Sequence, residues 1–286
     1  MNSEWAVLAE TKANVGEGPI WIARDETVLW VDIFGQALHR LSLHDNCLTS
    51  QGFDEPIGWV VERRGLTDLI VGLKSGLHFL CRAPFNLEPV PRQDPLAVDQ
   101  RLNDAKVDPA GRLWFGTMHD RGEVACGGLR SINAEFDVVV HDEQYFVPNG
   151  PAFSPDGNWL YHADSKRRSV YRYAVDELGN AHDRRIFTVF ENDDGYPDGM
   201  TVDREGCIWI AHWDGGCLSR FDPDGRRIER RKLPVSRVTS CCFGGADLDR
   251  LFVTSASRDG RREPLAGALF ELDPRVRGWP PTPFDG

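Results

Sequence analysis

The chain of 286 residues has no long hydrophobic run. Its apolar stretches, such as Leu69-Ile70-Val71, fall far short of the roughly 18 residues a membrane-spanning helix needs. The mean hydropathy of -0.39 agrees. The start, Met1-Asn2-Ser3-Glu4-Trp5, has no basic stretch followed by an apolar one. No secretory signal is therefore read there, and the cytoplasm is the expected location. Positive charge is in deficit: 33 Lys and Arg stand against 44 Asp and Glu, a net charge of -11. That argues against nucleic acid as a partner, because phosphate neutralisation needs a basic surface. It suits a site that attracts a cation. The basic clusters Arg226-Arg227, Arg230-Arg231-Lys232 and Arg261-Arg262 adjoin acids or turns and read as solvated faces.

Cysteine is sparse and unpaired in pattern. There are seven, an odd number, with no C-x-x-C spacing. Cys241 and Cys242 sit inside an apolar segment, so reduced, buried thiols are expected rather than a thiolate metal site. G-x-S-x-G, Walker, H-E-x-x-H and dinucleotide-binding motifs are also missing, as is an amphipathic helix.

What is present is a repeat. Six strand cores recur: Leu29-Trp30-Val31-Asp32, Leu69-Ile70-Val71-Gly72, Leu113-Trp114-Phe115-Gly116, Leu160-Tyr161-His162-Ala163, Ile208-Trp209-Ile210-Ala211 and Leu251-Phe252-Val253-Thr254. Their second residues are spaced by 40, 44, 47, 48 and 43 positions. Turn chemistry precedes them, as in Asp108-Pro109-Ala110-Gly111, Ser154-Pro155-Asp156-Gly157 and Asp203-Arg204-Glu205-Gly206. A further alternating strand follows each, for example Ser169-Val170-Tyr171-Arg172-Tyr173. Units of this length with about four short strands are propeller blades. The expected fold is all-β: one domain over 1–286, a six-bladed β-propeller of four-stranded antiparallel blades around a central channel. A β-sandwich or barrel would have to produce the same spacing six times by coincidence.

Eleven to thirteen residues before each core lies the start of the blade's inner strand. The six equivalent positions read Glu17, Trp59, Asn103, Asn149, Asp198 and Ser240. Four are carboxylates or carboxamides, and a buried ring of them is unfavourable without a partner. A divalent cation is the simple partner, with Ca²⁺, Mg²⁺ or Mn²⁺ matched to hard oxygens and Zn²⁺ also accommodated. The second strands run back to the same mouth. Their ends, Asp32, Lys74, His119 with Asp120, Asp164, His212 with Asp214, and Ser255, are candidates for a substrate rim. Arg101, two residues before Asn103, is placed to hold a sugar hydroxyl or a developing carboxylate.

These segments resemble the regucalcin (senescence marker protein 30), gluconolactonase and sugar-lactonase family over nearly the whole chain. The resemblance is carried by Gly16-Glu17-Gly18-Pro19, Arg101-Leu102-Asn103-Asp104, Asp108-Pro109-Ala110-Gly111-Arg112, Gly116-Thr117-Met118, Pro148-Asn149-Gly150, Pro197-Asp198-Gly199-Met200 and Thr239-Ser240-Cys241-Cys242-Phe243-Gly244-Gly245. It implies one divalent cation, Ca²⁺ or Zn²⁺ foremost, held by Glu17, Asn149 and Asp198. It implies Asp198 as catalytic base and Arg101 and Asn103 as substrate contacts, with His119 or Asp120 assisting. The implied activity is hydrolysis of a sugar lactone to the aldonic acid. One departure stands out: after Gly-Thr-Met the run is His119-Asp120-Arg121, with Arg where animal members carry an acid. A non-catalytic calcium-binding propeller and a propeller aryl-esterase remain as alternatives. The expected partner is a small sugar lactone, with no nucleic acid and no membrane, and the expected state is a monomer.

Overall fold

Aspartates at strand-to-strand turns set the blade geometry. Asp203 accepts hydrogen bonds from the amides of Glu205 and Cys207, at 2.9 and 3.1 Å, and from the Trp209 indole at 2.9 Å. Asp108 binds the amides of Ala110 and Arg112 and the Trp114 indole, at 2.9, 3.0 and 2.9 Å. In both, one buried carboxylate closes the turn and anchors the tryptophan six residues on. This satisfies backbone donors that would otherwise be stranded.

The computed structural model describes residues 5–93, 95–260 and 263–286, so Met1–Glu4 and the Arg261-Arg262 pair lie outside the described residues. Strand β1 is Trp5–Ala9. Blade 1 is β2 (Gly16–Ile22), β3 (Thr27–Asp32), β4 (Ala37–Ser42) and β5 (Leu48–Gly52). Blade 2 is β6 (Ile57–Glu62), β7 (Leu69–Leu73), β8 (Gly76–Arg82) and β9 (Phe85–Pro89). Blade 3 is β10 (Gln100–Val107), β11 (Leu113–His119), β12 (Gly127–Ile132) and β13 (Val138–Tyr145). Blade 4 is β14 (Pro148–Phe153), β15 (Trp159–Asp164), β16 (Ser169–Val175) and β17 (Ala181–Val189). Blade 5 is β18 (Tyr196–Val202), β19 (Ile208–Trp213), β20 (Cys217–Phe221) and β21 (Arg227–Lys232). Blade 6 is β22 (Val238–Gly244), β23 (Arg250–Ser255) and β24 (Leu269–Leu272), completed on its outside by β1. The expected six blades are all present, each four-stranded and antiparallel. The sequence repeat did not reveal that the first strand of the chain closes the last blade, with Trp5 edge-on to Phe270 at 5.9 Å.

The core lies between the blades. Six apolar clusters occupy the six junctions; Trp21, Val28 and Trp30, for instance, face Cys242, Phe252 and Leu269 across the seam joining first and last blades. At ~1.5–3 kcal/mol for each large buried side chain, these seams, not the blade edges, hold the ring closed. The C-terminal segment then crosses the far end of the channel. Gly278 pairs with Asp203 of blade 5, and Phe284, fully buried, pairs with Arg63 of blade 2. No helix among the described residues is long and apolar enough to cross a membrane.

Of the seven cysteines, Cys207, Cys217, Cys241 and Cys242 are buried and all are free, while Cys47 and Cys126 are exposed. Burial raises the Cys242 thiol to about 12, which makes it inert. One basic cluster departs from the expected solvated face: Arg231 is buried and paired with Glu229 at 2.6 Å. Neighbouring Arg227 and Arg230 converge on Asp194 at 2.6 and 3.3 Å. Outer strand β21 folds its arginines back onto acids of its own blade.

Candidate functional site

Each inner strand carries one residue more than its partner strand at the same level. The register shifts fall at Glu17/Ile20, Ile57/Trp59, Leu102/Ala105, Asn149/Ala152, Pro197/Met200 and Val238/Ser240. A bulge turns side chains out of the pleat and bends the strand, and here it does so once per blade at the channel mouth. Gly18 and Gly150 take φ of 51° and 76° within these bulges, a region that favours glycine. At Gly199 a Cβ would lie 2.2 Å from Ser240 Oγ, so only hydrogen lets blades 5 and 6 meet there.

The bulges open onto a cavity of about 740 Å³. Four of the six ring positions line it: Glu17, Asn103, Asn149 and Asp198. Trp59 and Ser240 do not; Trp59 is buried against Phe115 and Ser240 beneath Gly199. The residue two positions before each of these also lines it: Arg101 and Tyr196 on their strands, and Val15 and Val147 just ahead of theirs. Strand alternation alone could have identified Tyr196 this way, as it did Arg101. Lys74, Asp120, Arg121, Lys166, Phe34, Trp213 and Arg258 complete the mouth.

His119, the last residue of β11, points elsewhere. Met118 and Asp120 line the cavity, while His119 between them sits 3.9 Å from Asp99. Several rim candidates serve the backbone instead. Asp32 accepts from the amides of Asn14, Val15 and Gly35 at 2.8, 3.0 and 2.9 Å. Asp164 accepts from Phe146 and Val147 at 3.1 and 3.3 Å. His212 bonds the Asp194 carbonyl at 2.7 Å, Ser255 donates to the Ala268 carbonyl at 2.8 Å, and Asp214 pairs with Arg237 at 3.0 Å. Asp32, Asp164 and His212 thus tie down the loop that enters the inner strand of their own blade, Ser255 the approach to β24 and Asp214 the approach to β22, so they leave the rim.

Inside the cavity a buried polar chain is laid down. Arg101 Nη1 donates to Asn103 Oδ1 at 2.6 Å and to the Leu102 carbonyl at 3.0 Å. Asn103 Nδ2 donates to Asn149 Oδ1 at 2.9 Å and to the Pro148 carbonyl at 2.6 Å. Asn149 Nδ2 donates to Ser165 Oγ at 2.8 Å. The carboxamide of Asn149 is thereby held with its oxygen inward and a lone pair to spare. Glu17 and Asp198 each accept from the following amide, at 2.9 and 3.1 Å, and share a hydrogen bond with one another. Desolvation, then the neighbouring Asp104, drives Glu17 up to about 8. Desolvation, then Glu17, raises Asp198 well above the usual carboxylate range. Asp104, raised to about 6 by burial, accepts from the Gly150 amide at 3.0 Å; it is a third acid at this level that the ring pattern missed. Burial lowers Arg101 to about 10, opposed by the charges of Asp120 and Glu17.

The Glu17–Asn149–Asp198 set fits a divalent cation on chemistry. Its donors are all hard oxygens from three separate blades, and its two buried carboxylates repel unless one keeps a proton or a positive charge sits between them. Arg101 does not supply that charge directly, since its bonded nitrogen goes to Asn103 and Leu102. Only two of the three are acids, and among the described residues no group of three His, Cys, Asp or Glu side chains forms a cage.

Residues 15–257 match the SMP-30/Gluconolactonase/LRE-like region, and the chain belongs to that family. A 6-deoxy-6-sulfogluconolactonase of Pseudomonas putida is 33% identical over 100% of both chains. A Gallus gallus regucalcin is 35% identical over 98% of this chain and 97% of its own. A calcium-binding protein, regucalcin, from Agrobacterium tumefaciens superposes with a TM-score of 0.90 at 29% identity, covering 98% of this chain and 96% of its own.

Proposed function

We propose that the whole 286-residue chain acts as one hydrolase unit, opening an aldono-1,4- or 1,5-lactone to the aldonic acid with the help of one divalent cation. The observation that carries this reading is the pair of buried carboxylates, Glu17 and Asp198, facing one another beside Asn149 at the base of a cavity large enough for a sugar ring. The relative named a sulfogluconolactonase supports the reaction class. Ca²⁺ and Zn²⁺ are the first choices, and Mg²⁺ and Mn²⁺ also fit the donors.

Glu17, Asn149 and Asp198 would hold the cation. When bound, it supplies Lewis-acid polarisation of the acyl carbonyl and offsets developing negative charge, worth several kcal/mol. Asp198 removes a proton from the attacking water, whose oxygen bonds to the acyl carbon. The acyl C–O ring bond then breaks and the ring oxygen takes up a proton as a hydroxyl, so one water is consumed. Arg101 has a buried Nε without a protein partner, available to a substrate oxygen. Asn103 fixes both Arg101 and Asn149, and Asp120, paired with Lys74 at 2.5 Å, faces sugar hydroxyls. His119 lies outside the cavity and acts at most through its neighbours.

The test is base uptake at constant pH with gluconolactone, arabinolactone and xylonolactone, after chelation and after add-back of each metal. Acid release that needs metal supports the reading. Cation binding with no turnover of any lactone would instead favour a non-catalytic calcium-binding protein, a reading raised by the relatives named regucalcin.

A further inference from the structure

The acidic protein, with net charge -11, has a cationic cavity mouth. Five basic side chains line it, Lys74, Arg101, Arg121, Lys166 and Arg258, against three acids, Glu17, Asp120 and Asp198. Two of those acids are buried together at the base and share a hydrogen bond, which leaves Asp120 as the acid nearest the rim. Asp120 is already matched by Lys74. Arg258 has Asp259 3.7 Å away, but both side chains are largely exposed and Asp259 does not line the cavity, so the remaining charge on the lining is positive, and a bound divalent cation would add to it.

Two details argue that this charge is arranged for a ligand. Arg101 and Arg258 lie against the same Phe34 ring, with guanidinium carbons 5.7 and 4.3 Å from its centre. Arg101 is 92% buried (8% exposed) with its Nε unpartnered, and the two guanidinium groups share one ring as like charges. An anion between them would relieve both. On the other side, Lys166 is held by the Gly122 carbonyl at 2.8 Å, next to Arg121 at the edge of the same cavity. A neutral polyol needs hydroxyl acceptors and donors in balance, not a surplus of cations. A concave, low-dielectric site with one sign of charge concentrates ligands of the other sign.

We propose that the preferred substrate is an anionic sugar lactone, bearing a phosphate, sulfonate or carboxylate group remote from the acyl carbon and held between Arg101 and Arg258, with Arg121 and Lys166 adding to the attracting field of the same cavity. This rests on the lactonase reading and narrows its substrate class.

The test compares kcat/KM for gluconolactone with that for its 6-phosphate, its 6-sulfonate and the 6-carboxylate (glucaric) lactone, each from 20 to 500 mM salt. At least one anionic lactone is expected to exceed the neutral one by about tenfold or more, with an advantage that shrinks as salt rises. Which arm wins identifies the anion. In R121Q/K166Q and in R258Q the anionic-to-neutral ratio is expected to fall about tenfold, with melting temperature showing that each variant is folded. Calorimetry gives a readout without turnover: gluconate 6-phosphate should bind at least tenfold more tightly than gluconate. Neutral lactones turned over as fast as anionic ones, with no salt-dependent difference, would overturn the inference and leave the lactonase reading intact. No hydrolysis of any lactone would overturn the lactonase reading, and the inference would fall with it.

Discussion

His162 offers a clean test of how burial governs this fold. It sits on β15 opposite the inner-strand bulge of blade 4, fully buried, with its ring edge-on to Tyr145 at 4.9 Å and both nitrogens without a protein partner. Desolvation drives its pKa from 6.5 down to about 3; Asp142 pulls it up and Arg184 pushes it down by smaller amounts. In the folded protein the ring is therefore neutral across the ordinary range, whereas in the unfolded chain it takes up a proton below about 6.5. The unfolded state binds more protons, so this residue's contribution is intact above that pH and is lost as pH falls toward 3. At about 1.4 kcal/mol per unit, the loss between pH 7 and pH 4 is on the order of 3 kcal/mol from this one side chain. His162→Phe removes the titration while keeping an aromatic ring against Tyr145. Urea unfolding of both proteins at pH 7 and pH 4 measures it. The variant should gain on the wild type by about 3 kcal/mol between the two pH values. Parallel losses, within about 1 kcal/mol, would refute the argument.

Further expectations follow from the same geometry. Asp198→Ala should lower kcat at least ~100-fold, and full activity would remove Asp198 from the base role. Arg101→Ala should raise KM for lactones by roughly tenfold or more, and an unmoved KM would show that Arg101 does not touch substrate. Chelated protein should gain thermal stability on adding Ca²⁺ or Zn²⁺, by about 3 kcal/mol at a hundredfold excess over Kd, and Glu17→Gln should lose most of that gain in a melting assay. Phe284→Ala should cost about 3–5 kcal/mol and lower Tm by about 6–10 °C, because the buried ring pins the C-terminal strap to blade 2. A shift under 2 °C would show that the strap does not contribute to holding the ring.

The repeat was legible because each blade must bury the same faces against its neighbours. Leu-Trp-Val-Asp and its five counterparts recur for that reason, and all six lie in second strands of blades. Glu17, Asn103, Asn149 and Asp198 were legible because equivalent positions on a closed ring meet at one mouth. What one-dimensional spacing could not supply was side-chain direction. His119 and Asp120 are adjacent in sequence, yet β11 ends between them and only Asp120, in the turn that follows, lines the cavity. Asp32, Asp164 and His212 match the rim by position but are claimed by loop amides and carbonyls that only the folded chain brings near. The pairing of β1 with β24, Phe284 under blade 2, and the convergence of Arg121, Lys166 and Arg258 join residues far apart along the chain. Local periodicity decided the strands and the number of blades. Long-range closure decided which polar groups face the channel, because only there do backbone bonding and burial compete for the same side chains.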